Sequence, residues 1–286
     1  MTRAVLGLIA ALAVAAAQGA SPPAGHRLRI VSLAPNLTEL AYAAGAGGAL
    51  VGTVEYSDYP AAAKALPRVG DAWRVDVEQV LALRPDLVLV WASGTPEETI
   101  GRLRSMRLRV VEVKTFSIAD VAAALRQVGG IAGTEAVAEA AARRYEEEMR
   151  ALRLAHAGVR RLSVFIEIDD EPLYTVNGKH VISEVVSLCG GDNVFADLPQ
   201  LAPPIALEAV LARDPEVILS TDDTVSDPGE LWRPWTRMRA VRAGTIFALD
   251  SDTVTRATPR LAEGARAVCA ALDDARSRLA GPATTR

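Results

Sequence analysis

The chain has 286 residues, half of them hydrophobic, and a formal net charge of −4. That is enough apolar material for one large core or two smaller ones. The 31 basic and 35 acidic residues are scattered along the chain, which excludes a concentrated nucleic-acid-binding face.

Arg3 precedes an uncharged apolar run over 4–17, and small residues follow it. This is the pattern of a cleaved export signal, expected over 1–20, and it is too short to span a bilayer comfortably. No cysteine follows the run, so the expected product is an unlipidated protein free in a periplasm.

An N-terminal lobe is expected over 27–118. Short Val-, Leu- and Ile-rich runs at 28–33, 50–54, 87–91 and 109–113 read as buried strands, with helical stretches between them. In SLAPNLTEL, Pro35 ends the first strand, and Asn36 is expected to cap the next helix with Glu39 as the other half of a capping-box-like pair. The loop EYSDYP after the second strand carries Tyr56 and Tyr59. Trp73 sits in the polar loop GDAWRVD, Trp91 closes the third strand and Phe116 follows the fourth.

Residues 119–158 are expected to bridge the lobes. Within them 134–158 is rich in Ala, Glu and Arg, contains no proline, and runs from Thr134 to Gly158. As a helix it would extend about 35 Å. A flexible linker would be rich in Gly, Ser or Pro.

A C-terminal lobe is expected over 159–280, with strands at 161–168, 217–221 and 245–249. Its loops bring Tyr174 and then Asp250, Asp252 and Arg256 to strand ends. VEQVLALRPDLVL at 77–89 recurs as LEAVLARDPEVIL at 207–219, so Glu78 matches Glu208 and Pro85 matches Pro215 at an offset of 130. A weaker echo links 37–52 with 182–195. The fold class is therefore α/β, as two Rossmann-like lobes with central parallel sheets, bridged by one long rigid helix.

Ligands of such sheets bind beyond the carboxyl ends of the strands. The aromatic and polar residues gathered there suit a large ligand with flat apolar faces and amide edges. Cys189 and Cys269 are expected to pair in an oxidising compartment, tying a helix start to the C-terminal helix; two buried thiols are the alternative. Neither lies in a CxxC motif or beside a histidine, which argues against metal or redox roles. Catalysis is the rival class, as a two-lobed periplasmic enzyme. There is no GxSxG, P-loop or GxGxxG after a strand. His26, His156 and His180 do not form a site in sequence, and Asp222-Asp223 is a common kind of acidic pair.

RIVSLAPNLTELAYAAG, EYSDYP, VEQVLALRPDLVLVW, SLCGGDNVF, LEAVLARDPEVIL and ATPR together resemble the cobalamin-binding branch of the rigid-helix periplasmic substrate-binding proteins. The resemblance runs over nearly the whole mature chain. It implies a monomeric carrier that catalyses nothing and holds a corrinoid between its lobes, with a disulfide at Cys189 and Cys269. It implies a pocket lined by Tyr56, Trp73, Trp91, Asp252 and Arg256, to which the loop position of Tyr174 adds a further contact. Glu78 and Glu208 would dock on a two-subunit permease of an ABC importer. Relatives that carry haem or siderophores give the alternative ligand. The chain departs from the branch near LAPPIAL, which has prolines around Pro203 in place of a tryptophan. It also has Thr253 and Val254 in place of aromatics before Arg256, so the second wall is less aromatic.

Overall fold

The computed structural model describes residues 27–71, 74–92, 94–221 and 227–280. The expected export signal, Trp73 and the Asp222-Asp223 pair lie outside them.

The first part of the chain contributes β1 (Ile30–Ser32), α1 (Pro35–Ala43), β2 (Leu50–Gly52), α2 (Val77–Ala82), β3 (Leu87–Trp91), α3 (Glu97–Ser105) and β4 (Val110–Val113). The strands form one parallel sheet in the order β2-β1-β3-β4. Two helices follow, α4 (Ile118–Ala132) and α5 (Glu135–Ala155). The chain then forms β5 (Leu162–Glu167), the antiparallel hairpin β6 (Asp169–Asp170) and β7 (Leu173–Tyr174), α6 (Val181–Leu188), β8 (Gly191–Asn193), α7 (Leu207–Arg213), β9 (Val217–Ser220), α8 (Arg239–Ala243), β10 (Ile246–Ala248), α9 (Ser251–Val254) and α10 (Leu261–Leu279). The second sheet is also parallel, in the order β10-β9-β5-β8.

Alternation along the strands divides the core into three layers. Leu87 and Leu89 of β3, Leu162, Val164 and Ile166 of β5, and Val217 and Leu219 of β9 all belong to one continuous apolar cluster. Leu37 and Leu40 of α1, Leu125 of α4, Tyr145 and Met149 of α5, and Leu272 of α10 fill the same cluster. The opposite strand faces build two outer layers, with Val88 and Val90 in one and Phe165 and Ile218 in the other. Both faces of each sheet are thus covered, as parallel sheets require. The two lobes share their central core.

The 21-residue α5 spans about 32 Å. It buries Ala138, Ala141, Ala142, Tyr145 and Met149, a single helical stripe. It packs closely on α4 because Gly129 faces Ala138; a Cβ at Gly129 would stand 2.2 Å from the alanine methyl. Thr134 precedes α5 without capping it through its side chain, and donates instead to the Ala44 carbonyl at 2.7 Å.

The repeat is visible in detail. α2 and α7 are each followed by a residue with positive φ, Arg84 at 45° and Asp214 at 39°, and then by a proline. The next residue is acidic and pins the first strand of its sheet: Asp86 accepts the Arg29 N–H at 2.8 Å, and Glu216 accepts the Ser163 N–H at 3.0 Å.

Two expectations from sequence are corrected. Asn36 is not the cap of α1; Ala34 occupies that position, Pro35 opens the helix, and the Asn36 amide donates to Thr115 at 3.2 Å. Glu39 is buried and turned toward arginines of the other lobe. Cys189 ends α6 and does not start a helix. It is bonded to Cys269 of α10, with a Cα separation of 4.8 Å.

Candidate ligand-binding cleft

The carboxyl ends of the strands of both sheets meet across a cavity of about 330 Å³. The first lobe lines it with Ala34, Pro35 and Asn36 at the start of α1, Trp91 at the end of β3, and Thr115 and Phe116 after β4. The second lobe supplies Lys179, His180 and Val181 at the start of α6, Leu201, and Thr255, Arg256 and Ala257 after α9. One wall is therefore an indole and a phenyl ring on apolar neighbours, and amide, hydroxyl and guanidinium donors surround it.

Trp91 rests on Gly94, where an added Cβ would fall 2.0 Å from the indole ring. The backbone N–H of Trp91 donates to the Thr95 hydroxyl at 3.0 Å, which fixes the turn. The indole Nε1 is buried and has no hydrogen-bond partner among the described residues. Arg256 is held at 2.6 Å from Asp252 and at 3.4 Å from Glu39. Burial raises the Asp252 carboxyl above its ordinary range, against the lowering pull of Arg256.

The sequence-derived site residues fall in different places. Trp91 and Arg256 line the cavity together, and Asp252 supports Arg256 from behind. Tyr56 stands 76% exposed with φ at 63°. Tyr174 lies in the β6–β7 hairpin, bridged to Pro204, and does not line the cavity. Trp73 is outside the described residues. Among the described residues no group of three or more His, Cys, Asp or Glu side chains is placed to hold a metal ion.

Glu39 forms the charged link between lobes. It is 3% exposed and receives Arg260 through two bonds of 2.9 Å. Arg260 stacks its guanidinium 4.1 Å from the Tyr59 ring centre. A second link joins the Ile118 N–H at the start of α4 to the Glu184 carboxylate of α6 at 2.7 Å.

The sequence did not bring His180 into the site, because a lone histidine in a loop is ordinary. The structure places it at the start of α6, on the cavity wall. Burial pushes its imidazole down to about 4 from an ordinary 6.5. Between those pH values the unfolded chain binds a proton that the folded chain refuses. The stability contribution is complete above pH 6.5 and is lost as pH falls through 4, by up to about 3 kcal/mol. Urea unfolding at pH 7.5 and 4.5 is expected to show a larger acid loss in wild type than in His180→Asn. Equal losses would show that His180 does not titrate in this window.

Comparison with known proteins agrees with this architecture. The periplasmic binding protein family matches residues 30–253. The vitamin B12-binding protein of Vibrio cholerae serotype O1 is 34% identical over 242 residues, covering 84% of this chain and 87% of that one. The crystal structure of the periplasmic vitamin B12 binding protein BtuF of Vibrio cholerae matches with a TM-score of 0.82, over 87% of this chain and 97% of that one, at 34% identity. The periplasmic heme-binding protein RhuT from Roseiflexus sp. RS-1 matches with a TM-score of 0.76, over 87% and 99%, at 26% identity. Two parallel-sheet lobes, a helical bridge, a cleft at the strand ends and a family match over most of the chain lead to one assignment: this chain belongs to the periplasmic binding protein family.

Proposed function

We propose that this chain captures cobalamin or a related corrinoid between its lobes and presents it to the permease of an ABC importer, as a monomeric carrier that catalyses no reaction. Export and release into the periplasm without a lipid anchor belong to the same reading. The observation that carries it is the 34% identity, over 84% of the chain, to a vitamin B12-binding protein. The cleft chemistry supports it: Trp91 and Phe116 offer flat apolar contact, and Asn36, Thr115 and Arg256 offer partners for amide edges. Tyr56, Trp73, Tyr174 and Asp252 are the further ligand contacts of this reading. A haem or siderophore carrier is the second reading, supported by the shared fold of the heme-binding protein RhuT.

Calorimetric titration with cyanocobalamin is expected to give one site per chain. Trp91→Ala is expected to weaken binding by about 1–3 kcal/mol through lost contact area, with little loss of stability. No heat from wild type at ligand concentrations of tens of micromolar would sink the corrinoid reading.

Glu78 and Glu208 open α2 and α7, are exposed, and make no ion pair among the described residues. Two equivalent carboxylates, one per lobe, suit a permease of two like subunits that offers an arginine from each. Replacing both with alanine is expected to leave cyanocobalamin affinity unchanged and to weaken transporter capture, with the wild-type interaction itself weakening at high salt. A pull-down and a ligand titration on the same double variant separate the roles. Full transporter capture would reduce these glutamates to helix-start charges.

A further inference from the structure

Nothing in the reading above uses His180. Its Nδ1 accepts the backbone N–H of Ile182 at 3.3 Å and so caps the eight-residue α6. A backbone amide can only donate, so Nδ1 carries its lone pair and the ring proton sits on Nε2. Among the described residues no group takes a hydrogen bond from Nε2. The ring borders the cavity that Trp91, Phe116 and Asn36 line from the other lobe.

The charged groups nearby do not alter this assignment. Glu184, one turn along α6, already accepts the Ile118 N–H, and Arg256 is committed to Asp252 and Glu39. Lys179 is exposed beside the ring. Burial keeps the imidazole neutral in the working range of pH.

A metal-ligating imidazole needs the opposite polarity. It turns a bare nitrogen to the metal, and its other ring nitrogen donates a proton outward. In His180 the helix amide already holds the bare nitrogen.

We propose that His180 selects the ligand by donating Nε2–H to a carbonyl or carboxamide oxygen on its edge, and that it leaves the ligand's metal alone. This rests on the corrinoid reading and deepens it. The cleft then favours a macrocycle that brings its own axial groups and carries amides at its rim. A macrocycle that needs an axial imidazole from the protein finds none here.

The test compares wild type with His180→Asn, because asparagine preserves the helix cap, while its shorter amide no longer places an N–H where Nε2 stood. At pH 7.5 the thermal midpoint is expected to be unchanged, and the Kd for cyanocobalamin to rise about five-fold. Aquocobalamin, whose exchangeable water reports incoming ligands, is expected to keep its free absorption spectrum on binding wild type. A spectrum of imidazole-substituted cobalt in wild type, absent in the variant, would overturn the proposal without any reliance on the variant's affinity. Unchanged affinity in a folded His180→Asn, beside normal wild-type binding, would overturn it alone. No binding by wild type would remove the corrinoid reading and this proposal together.

Discussion

The Cys189→Ala/Cys269→Ala double variant is expected to lose about 4.5 kcal/mol of unfolding free energy, because the bond closes a loop of 80 positions in the unfolded chain. Both sulfurs are buried, at 0% and 2% exposure, so alanine is the right replacement; serine would add a buried hydroxyl. The bond joins the end of α6 to the middle of α10, and Val185, Val186, Val268 and Leu272 belong to the same central core. Neither cysteine lines the cavity. Urea unfolding should therefore show a large drop in midpoint, while cyanocobalamin binding in dilute buffer persists. A loss below about 1 kcal/mol would mean that residual structure in the unfolded chain already holds these segments together.

Glu39→Gln is expected to cost about 3 kcal/mol, at the low end for breaking a buried ion pair. The substitution keeps the shape and removes the charge that faces Arg260 and Arg256, whose side chains are 15% and 22% exposed. Asp252 remains near both guanidiniums, which places the cost at the lower end. The Glu39 hydrogen bonds hold the Arg260 guanidinium above its ordinary range; an arginine without them is still protonated at neutral pH, so the charge remains when its partner is lost. The loss should be the same at low and high salt, because counter-ions reach buried pairs poorly. The Glu39→Met/Arg260→Met double variant should recover much of it, since removing both partners leaves less unpaired charge. A Glu39→Gln effect abolished by salt would place this network at the surface.

Much of the fold was legible in the sequence. Seven strands stand within one or two residues of the apolar runs that announced them; the clearest, β1, β3, β5 and β9, are buried on both faces and so leave a nearly uninterrupted hydrophobic signal. β8 left no such signal: Gly191–Asn193 reads GDN, and only pairing with β5 makes it a strand. The hairpin that carries Tyr174 was missed for a similar reason, since two-residue strands have no period. Trp91 was legible because it ends a strand, and Phe116 because it follows one. Glu39 was misread because local helix grammar explains an acidic residue near a helix start, whereas its partners lie 217 and 221 positions away. His180 was set aside because its importance comes from the direction of α6, which sequence spacing does not reveal.

The core shared by the two lobes has a consequence for how this carrier is read by others. α5 is packed from Ala138 to Met149, Glu39 ties one side, and the Ile118–Glu184 bond ties another. A receptor fastened in this way does not report occupancy through a change of outline. Filled and empty copies are then expected to present nearly the same rims to whatever meets them, and a small difference between two states can bias an equilibrium only slightly. Information about cargo must then be available at the mouth of the cleft, from the cargo's own exposed edge and the few side chains it displaces. On the proposed importer reading, empty copies would compete with loaded ones for the same landing place, and an excess of the carrier is expected to slow the delivery that a smaller amount would serve.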